Sequence, residues 1–260
     1  MWVEKTLQKD INGLRKEFRL LHNEVIPRIS DCQEYFKNAN TGRNRYGNVY
    51  CLDRSRVILK VPPKMNDYIH ANYIDTPFKK HRFICTQGPT EASASDFWLM
   101  VLQEHVEFII MLSKFKEKGR EKCCRYFPEM CESTVQFGPF TIRCDSNSVI
   151  LMLIKLKVRM SVQPIVVHCS AGIGRSGVLI TVEYILELLT FQKDCSNMFN
   201  IIKELRSQRA GLVQTIQQYL FIHRLLLLFF IDAQRCEPTK EVSNFIKNYE
   251  AYVHRQRITS

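Results

Sequence analysis

The sequence predicts a single α/β domain, and three observations predict it. Short β-branched or aromatic runs alternate with helical patterns along most of the chain. At 260 residues, 45% hydrophobic and 24% charged, the chain is long enough and apolar enough to bury one sizeable core. No internal repeat or low-complexity tract divides it.

The elements follow in order. Leu7, Ile11, Leu14, Phe18, Leu21 and Val25 recur every three or four residues, which predicts an amphipathic helix limited by Pro27. Polar residues from Asn38 to Asn44, with Gly42, read as a loop. Strands are expected at Val57–Leu59, Ile69–Ile74, Phe83–Thr86 and Phe108–Leu112, with a helix from about Ser93 to Glu104 between the last two. Gly119 to Met130 reads as irregular, and Val135–Phe137 with Thr141–Cys144 as a hairpin around Gly138-Pro139. Val149 to Met160 is ambiguous, apolar and β-branched first and basic later. Ile165–Val167 is a compact buried-type strand. Helices are expected at about 175–190, 196–208, 215–233 and 240–255.

The net charge of +11 suits an anionic partner or simply a solvated basic surface. A nucleic-acid reading rests on that charge alone, with no stacking or zinc motif beside it. The ten cysteines form no C-x-x-C pair of the zinc kind, and adjacent Cys123 and Cys124 are too close for an easy disulfide. Met1 to Gly13 carries no apolar leader core, and the run Leu225 to Ile231 is far short of the ~20 residues that span a bilayer. A reduced, intracellular and cytoplasmic protein is expected, with no membrane span.

The informative segment runs from Val166 to Gly177. A buried strand enters a glycine-bearing turn, Cys169-Ser170-Ala171-Gly172-Ile173-Gly174, and then an apolar helix that starts at Arg175. Such a turn aims the backbone N–H groups of Ser170, Ala171, Gly172, Ile173 and Gly174 inward at the positive end of a helix dipole. That geometry binds a dianion and favours a thiolate at Cys169. Arg175, six positions on, offers a planar fork to two phosphate oxygens, and Ser176 offers a hydroxyl to the sulfur. Alone, a buried cysteine is usually inert packing and a Gly-x-Gly a common turn. Strand, His-Cys-x5-Arg-Ser and helix together specify phosphate binding and a cysteine nucleophile, with amides and guanidinium stabilising the equatorial oxygens.

These residues closely resemble the signature of the tyrosine-specific protein phosphatases, and the likeness extends from about Phe36 to Phe230. Arg43-Asn44-Arg45-Tyr46 resembles the family's recognition loop, and Asp67 to Ile74 the strand after it. Thr86-Gln87-Gly88-Pro89, Asp96-Phe97-Trp98, Glu117-Lys118-Gly119, Lys122-Cys123 and Gln214 to Tyr219 resemble further landmarks. The resemblance implies a twisted, mixed sheet flanked by helices on both faces. It implies an N-terminal helical segment at 1–35, a phosphatase-like domain at 36–235, and a C-terminal helix at 236–260. It implies hydrolysis of phosphotyrosine in proteins through a phosphocysteine, in a signalling setting, with no metal or cofactor. Cys169, Arg175, Ser176, Gln214 and His168 form the implied catalytic set. Tyr46 would stack on the phosphotyrosine ring and set the pocket depth, Gln218 would support the site, and Glu117 and Lys122 would brace it. Asp53 and Arg56 read as structural.

The chain departs from the family pattern in three places. Asn48 stands where many relatives carry an aspartate that holds the substrate main chain, so altered peptide selectivity is expected. Phe127-Pro128 replaces a tryptophan–proline pair. The third departure is larger. The family places a mobile Trp-Pro-Asp loop, which supplies the general acid, between the hairpin and the phosphate loop. The two tryptophans here, Trp2 and Trp98, do not precede Pro-Asp, and the stretch between about 145 and 158 reads as shortened by several tens of residues. Asp145 is the nearby carboxylate that remains, without the motif around it. General acid help is typically worth ~10²–10⁴ in rate, so tight phosphate binding with slow turnover is expected. A phosphotyrosine-binding pseudo-phosphatase is the alternative.

Overall fold

The computed structural model describes residues 2–24, 26–63, 65–146 and 160–258. Its centre is a five-stranded mixed sheet of order β1-β2-β3-β9-β4, made of Arg56–Ile58, Tyr68–Ile74, Phe83–Thr86, Ile165–His168 and Ile109–Met111. The first three strands pair antiparallel, whereas β9 enters last and lies parallel between β3 and β4. Two small hairpins lie outside this sheet: β5 and β6 (Lys116–Glu117, Arg120–Glu121), and β7 and β8 (Thr134–Phe137, Phe140–Arg143).

Strands β3 and β9 are buried along their whole length, as strands between two covered faces should be. Their alternating side chains divide the core. Phe83, Cys85, Ile165 and Val167 face a layer built from helices α1 (Trp2–Glu24), α4 (Arg175–Thr190), α5 (Met198–Gln208), α6 (Ile216–Asp232) and α7 (Lys240–Ile258). Ile84 and Val166 face the other way, onto α3 (Ala94–Gln103) through Phe97 and Met100. The expected sheet with helices on both faces is the fold observed. The short helix α2 (Gln33–Lys37) sits before the first strand.

Local chemistry sets where several elements begin. Helix α1 carries a break at Asp10 (φ 50°), and the Asp10 carboxylate accepts the N–H groups of Asn12 and Gly13, so it caps the second half. Helix α5 starts at 198 rather than 196 because the Asn197 side chain accepts the N–H of Asn200. Helix α6 starts at 216 because Thr215 and Gln218 form a reciprocal capping box. The 119–130 stretch expected to be irregular opens with the β5–β6 hairpin, which turns through Lys118 and Gly119, both at positive φ. The predicted 108–112 strand pairs over 109–111. The ambiguous 149–160 stretch and most of the shortened 145–158 region lie outside the described residues. Among those described, no helix is long and apolar enough to cross a membrane.

Candidate active site

Strand β9 ends at His168 and helix α4 begins at Arg175, so Cys169 to Gly174 form a six-residue loop at a helix N-terminus. The loop's shape depends on two glycines. Gly172 has φ 67°, and a Cβ there would lie 2.0 Å from the Thr86 carbonyl oxygen. A Cβ on Gly174 would lie 2.6 Å from Gln218 Nε2 and 3.2 Å from Gln214 Oε1. The two glutamines of the following loop and helix therefore close directly over the 169–174 loop. Gln214 is exposed, and Gln218 is half-buried while it also completes the α6 cap.

Cys169 is buried at the floor of this loop, and its sulfur accepts the Gly172 N–H at 3.2 Å. Burial alone would push the thiol up. The hydroxyl and N–H of Ser176, the N–H of Gly172 and the charge of Arg175 outweigh it, and the pKa falls below that of an ordinary cysteine. The Ser176 hydroxyl is fully buried and meets no partner at complete hydrogen-bond geometry, so it is poised near the sulfur rather than committed elsewhere. His168 lies behind the loop, where Tyr126 Oη sits 2.8 Å from its Nε2 and the Cys169 carbonyl 3.1 Å from its Nδ1. Burial lowers its pKa to about 4, so it is neutral at physiological pH.

Arg175 is held as a fork. Its two terminal nitrogens donate to the two carboxylate oxygens of Glu117 at 2.7 and 3.0 Å. This pairing holds the Glu117 carboxyl below its usual range and raises the guanidinium. The β5–β6 hairpin is what brings Glu117 there, and the Lys114 N–H steadies it further.

The rim is tied to the floor through Ser170. Its hydroxyl lies 2.7 Å from Tyr46 Oη and donates to the Lys122 carbonyl at 3.0 Å. Tyr46 packs with Val49, Ala171 and Ile173 at the loop's edge. Lys122 reaches the site by its backbone, and its side chain is half-buried. The segment carrying Tyr46 is pinned at every step. Arg43 pairs with Asp96, Asn44 accepts from Tyr68 Oη, and Arg45 donates to the carbonyls of Gly88 and Pro89. Asp53 accepts the N–H groups of Gln33 and Glu34, and Arg56 pairs with Asp67. Asn48, two residues after Tyr46, is exposed. Asp145 is also exposed, beyond β8, and pairs with Arg143 at 3.0 Å.

The sequence reading missed the layer beneath the loop. Arg209 is fully buried and donates to the carbonyls of Gly172 (2.7 Å) and Ala171 (3.2 Å) and to Asn72 Oδ1 (2.7 Å), with His70 Nδ1 at 3.3 Å. It places a cation under the loop and fixes two of its peptide planes. His70, buried and next to that cation, is lowered to about 3 and bonds the Val49 carbonyl. Arg206, also buried, donates to the carbonyls of Leu212 and Val213. Val213 has φ 58°, which a β-branched residue adopts only under constraint, and its N–H donates to the Ile173 carbonyl at 2.9 Å. That strained link sets where Gln214 stands. A buried arginine among neutral partners leaves no periodic sequence signal; the pair of arginines three residues apart at the end of α5 was the available hint.

Fold and loop together define an α/β domain with a buried cysteine, its pKa lowered, in a glycine-bearing turn between a buried strand and a helix N-terminus. The family model described as protein-tyrosine phosphatase matches residues 40–155 and 145–228. The chain therefore belongs to the protein-tyrosine phosphatase family. It is 30% identical over 275 residues to tyrosine-protein phosphatase 69D of Drosophila melanogaster, covering 86% of this chain and 19% of that protein. It is 29% identical over 297 residues to tyrosine-protein phosphatase 99A of the same species (94% and 22%). With tyrosine-protein phosphatase non-receptor type 12 of Homo sapiens it shares 32% over 240 residues (75% and 31%). The chain spans less than a third of the length of these curated relatives. The aligned stretches of 275 and 297 positions exceed this chain's own 260 residues, so those relatives carry tens of residues with no counterpart here. The two matched stretches of the family model meet at 145–155, where the sequence reads as shortened.

Proposed function

We propose that this chain hydrolyses phosphotyrosine in proteins through a phosphocysteine, with slow turnover. The observation that carries the reading is the Cys169 thiol, lowered by Ser176, Gly172 and Arg175 at the floor of a loop that opens beside a braced guanidinium. In the first step the Cys169 sulfur attacks phosphorus, a P–S bond forms and the P–O bond to tyrosine breaks. The loop amides of Ser170 to Gly174 and the Arg175 fork stabilise the charge on the equatorial oxygens. In the second step water attacks phosphorus, the P–S bond breaks, phosphate leaves and the thiolate returns, with Ser176 stabilising the departing sulfur. Gln214 orients that water, and Gln218 supports the site. Tyr46 sets a slot deep enough for phosphotyrosine, Asn48 contacts the peptide backbone, and Glu117 and Lys122 hold the rim. His168 orients the Cys169 peptide. The leaving phenolate takes its proton from solvent, because Glu117 has both oxygens on Arg175 and Asp145 is paired outside the cradle. We assign this chemistry to residues 36–235, with 1–35 and 236–260 as helical additions, in a cytoplasmic protein that acts on phosphotyrosine proteins and needs no metal.

The second reading, a phosphotyrosine-binding module that shields its ligand, draws on that same missing acid. One experiment separates them. Phosphate release from a phosphotyrosine peptide is measured for the chain and for Cys169→Ser, with binding followed in parallel. Release that vanishes in the variant supports the enzyme. Binding without release in both supports the module. Absence of both overturns the site.

A further inference from the structure

We infer that the same cradle hydrolyses acyl phosphates, the mixed anhydrides of a carboxylic acid and phosphoric acid, and does so faster than it hydrolyses phosphate esters of phenols. The inference rests on the cysteine chemistry proposed above and names a second substrate class for it.

Two observations carry it. The first is where the proton donors of the site are held. Glu117 has both oxygens on Arg175, and its carboxyl is kept below the usual range. His168 lies behind the loop, with one ring nitrogen at Tyr126 Oη and the other at the Cys169 carbonyl. The Tyr46 hydroxyl is engaged with Ser170, and Asp145 pairs with Arg143. The stretch 147–159 contains no aspartate, glutamate, histidine, cysteine or tyrosine. The second observation is the charge beside the cradle. A cleft of about 550 Å³ opens next to Arg175 and is lined by Lys114, Lys116 and Lys118. The one carboxylate in its lining is Glu117, which is committed to Arg175, so the three lysine charges stay uncompensated within the lining. With Arg175 they set up a field that stabilises negative charge as it develops nearby. The site therefore favours release of an anion over delivery of a proton. A carboxylic acid ionises near ~4 and a tyrosine phenol near ~10, so a carboxylate leaves without the proton that a phenolate needs. The Cys169 sulfur attacks phosphorus, the P–S bond forms, and the anhydride P–O bond breaks with its electron pair on the carboxylate. Water then attacks phosphorus, the P–S bond breaks, the thiolate returns, and the protons of that water go to phosphate and solvent. General acid help is worth ~10²–10⁴ in rate to an ester, and the anhydride does without it, so its turnover should exceed that of a matched ester by about a hundredfold or more.

The test uses the full chain with benzoyl phosphate, whose ring suits the wall that Tyr46 forms with Val49, Ala171 and Ile173, and phenyl phosphate as the matched ester. Spontaneous hydrolysis is subtracted from both. The kcat/KM for benzoyl phosphate is expected to be greater by about a hundredfold or more. Release should vanish in Cys169→Ser. In heavy-oxygen water the label should enter phosphate and not benzoate, because the bond that breaks is P–O. A ratio below about tenfold, with phenyl phosphate cleaved, would mean that a proton donor serves the ester. The inference is then overturned while the phosphotyrosine reading stands. Label in benzoate, or release that survives Cys169→Ser, also overturns it. If neither compound nor a phosphotyrosine peptide is cleaved, the inference fails; orthovanadate binding then leaves the binding-module reading in place, and absence of that binding removes the site itself.

Discussion

Arg209 offers the most direct test of how the fold sustains the cradle. Its guanidinium makes four hydrogen bonds to neutral groups in a fully buried site, two of them at 2.7 Å, to the Gly172 carbonyl and Asn72 Oδ1. Replacing it by methionine fills most of the volume but leaves those acceptors without donors. A hydrogen bond to a charged group is worth about 1.5–3 kcal/mol, so losing the two short ones should cost about 3–6 kcal/mol. That is a large share of the roughly 5–15 kcal/mol that holds a domain folded. The Ala171 and Gly172 peptide planes would also lose their anchor, and a misplacement near 1 Å can cost about 10²-fold in a preorganised site. Urea unfolding and orthovanadate affinity measure the two effects. A third readout separates a positioning role from general destabilisation. Burial is the main reason His70 titrates near 3, and the adjacent Arg209 charge lowers it further, so its midpoint should rise in Arg209→Met when followed by NMR. Arg209→Lys, with one ammonium for four acceptors, should fall between the two chains. A methionine variant that unfolds within about 1 kcal/mol of the parent, binds vanadate equally and leaves His70 unmoved would refute the reasoning.

Alkylation of Cys169 by iodoacetate should show a pH midpoint below that of an ordinary thiol near ~8.5, and Ser176→Ala should shift it upward. An unshifted midpoint in the parent chain contradicts the thiolate assignment. Stability should fall in acid through His70, His168 and His223, which are buried and lowered to about 3, about 4 and about 3. Their folded values lie below the unfolded value of ~6.5, so the stability is present above that pH and is lost as pH falls toward the folded values. At pH 5 each histidine should cost about 2 kcal/mol, or about 6 kcal/mol for the three. Thermal melts between pH 7.5 and 5 that do not move would exclude this. Glu117→Gln keeps one acceptor but loses the charge, and because the pair is partly solvated it should weaken vanadate binding by less than about tenfold. A loss of a hundredfold would mean that Glu117 does more than brace Arg175. Turnover should depend steeply on the leaving group, with a nitrophenyl phosphate cleaved far faster than phenyl phosphate, since among the described residues Glu117 is committed to Arg175 and Asp145 to Arg143. Equal rates would reveal an acid in the chain.

Much of this protein could be read from residue order because its signals are local. Phe83–Cys85 and Ile165–Val167 are unbroken apolar runs, as strands covered on both faces should be. Cys169 and Arg175 reveal their chemistry because a six-residue loop between a strand and a helix places both within one oxyanion's reach. Helix starts were off by one or two residues at Asn197 and Thr215, where a polar residue acts as a cap instead of joining the helix. What residue order alone determined is therefore the α/β class, the thiolate loop and its guanidinium, since each depends on contacts a few residues apart. Tertiary structure alone decided that β9 pairs between β3 and β4 and that Arg209 lies under Gly172. Those choices depend on which buried polar groups find partners once distant segments close on one another, and no pattern along the chain encodes that distance.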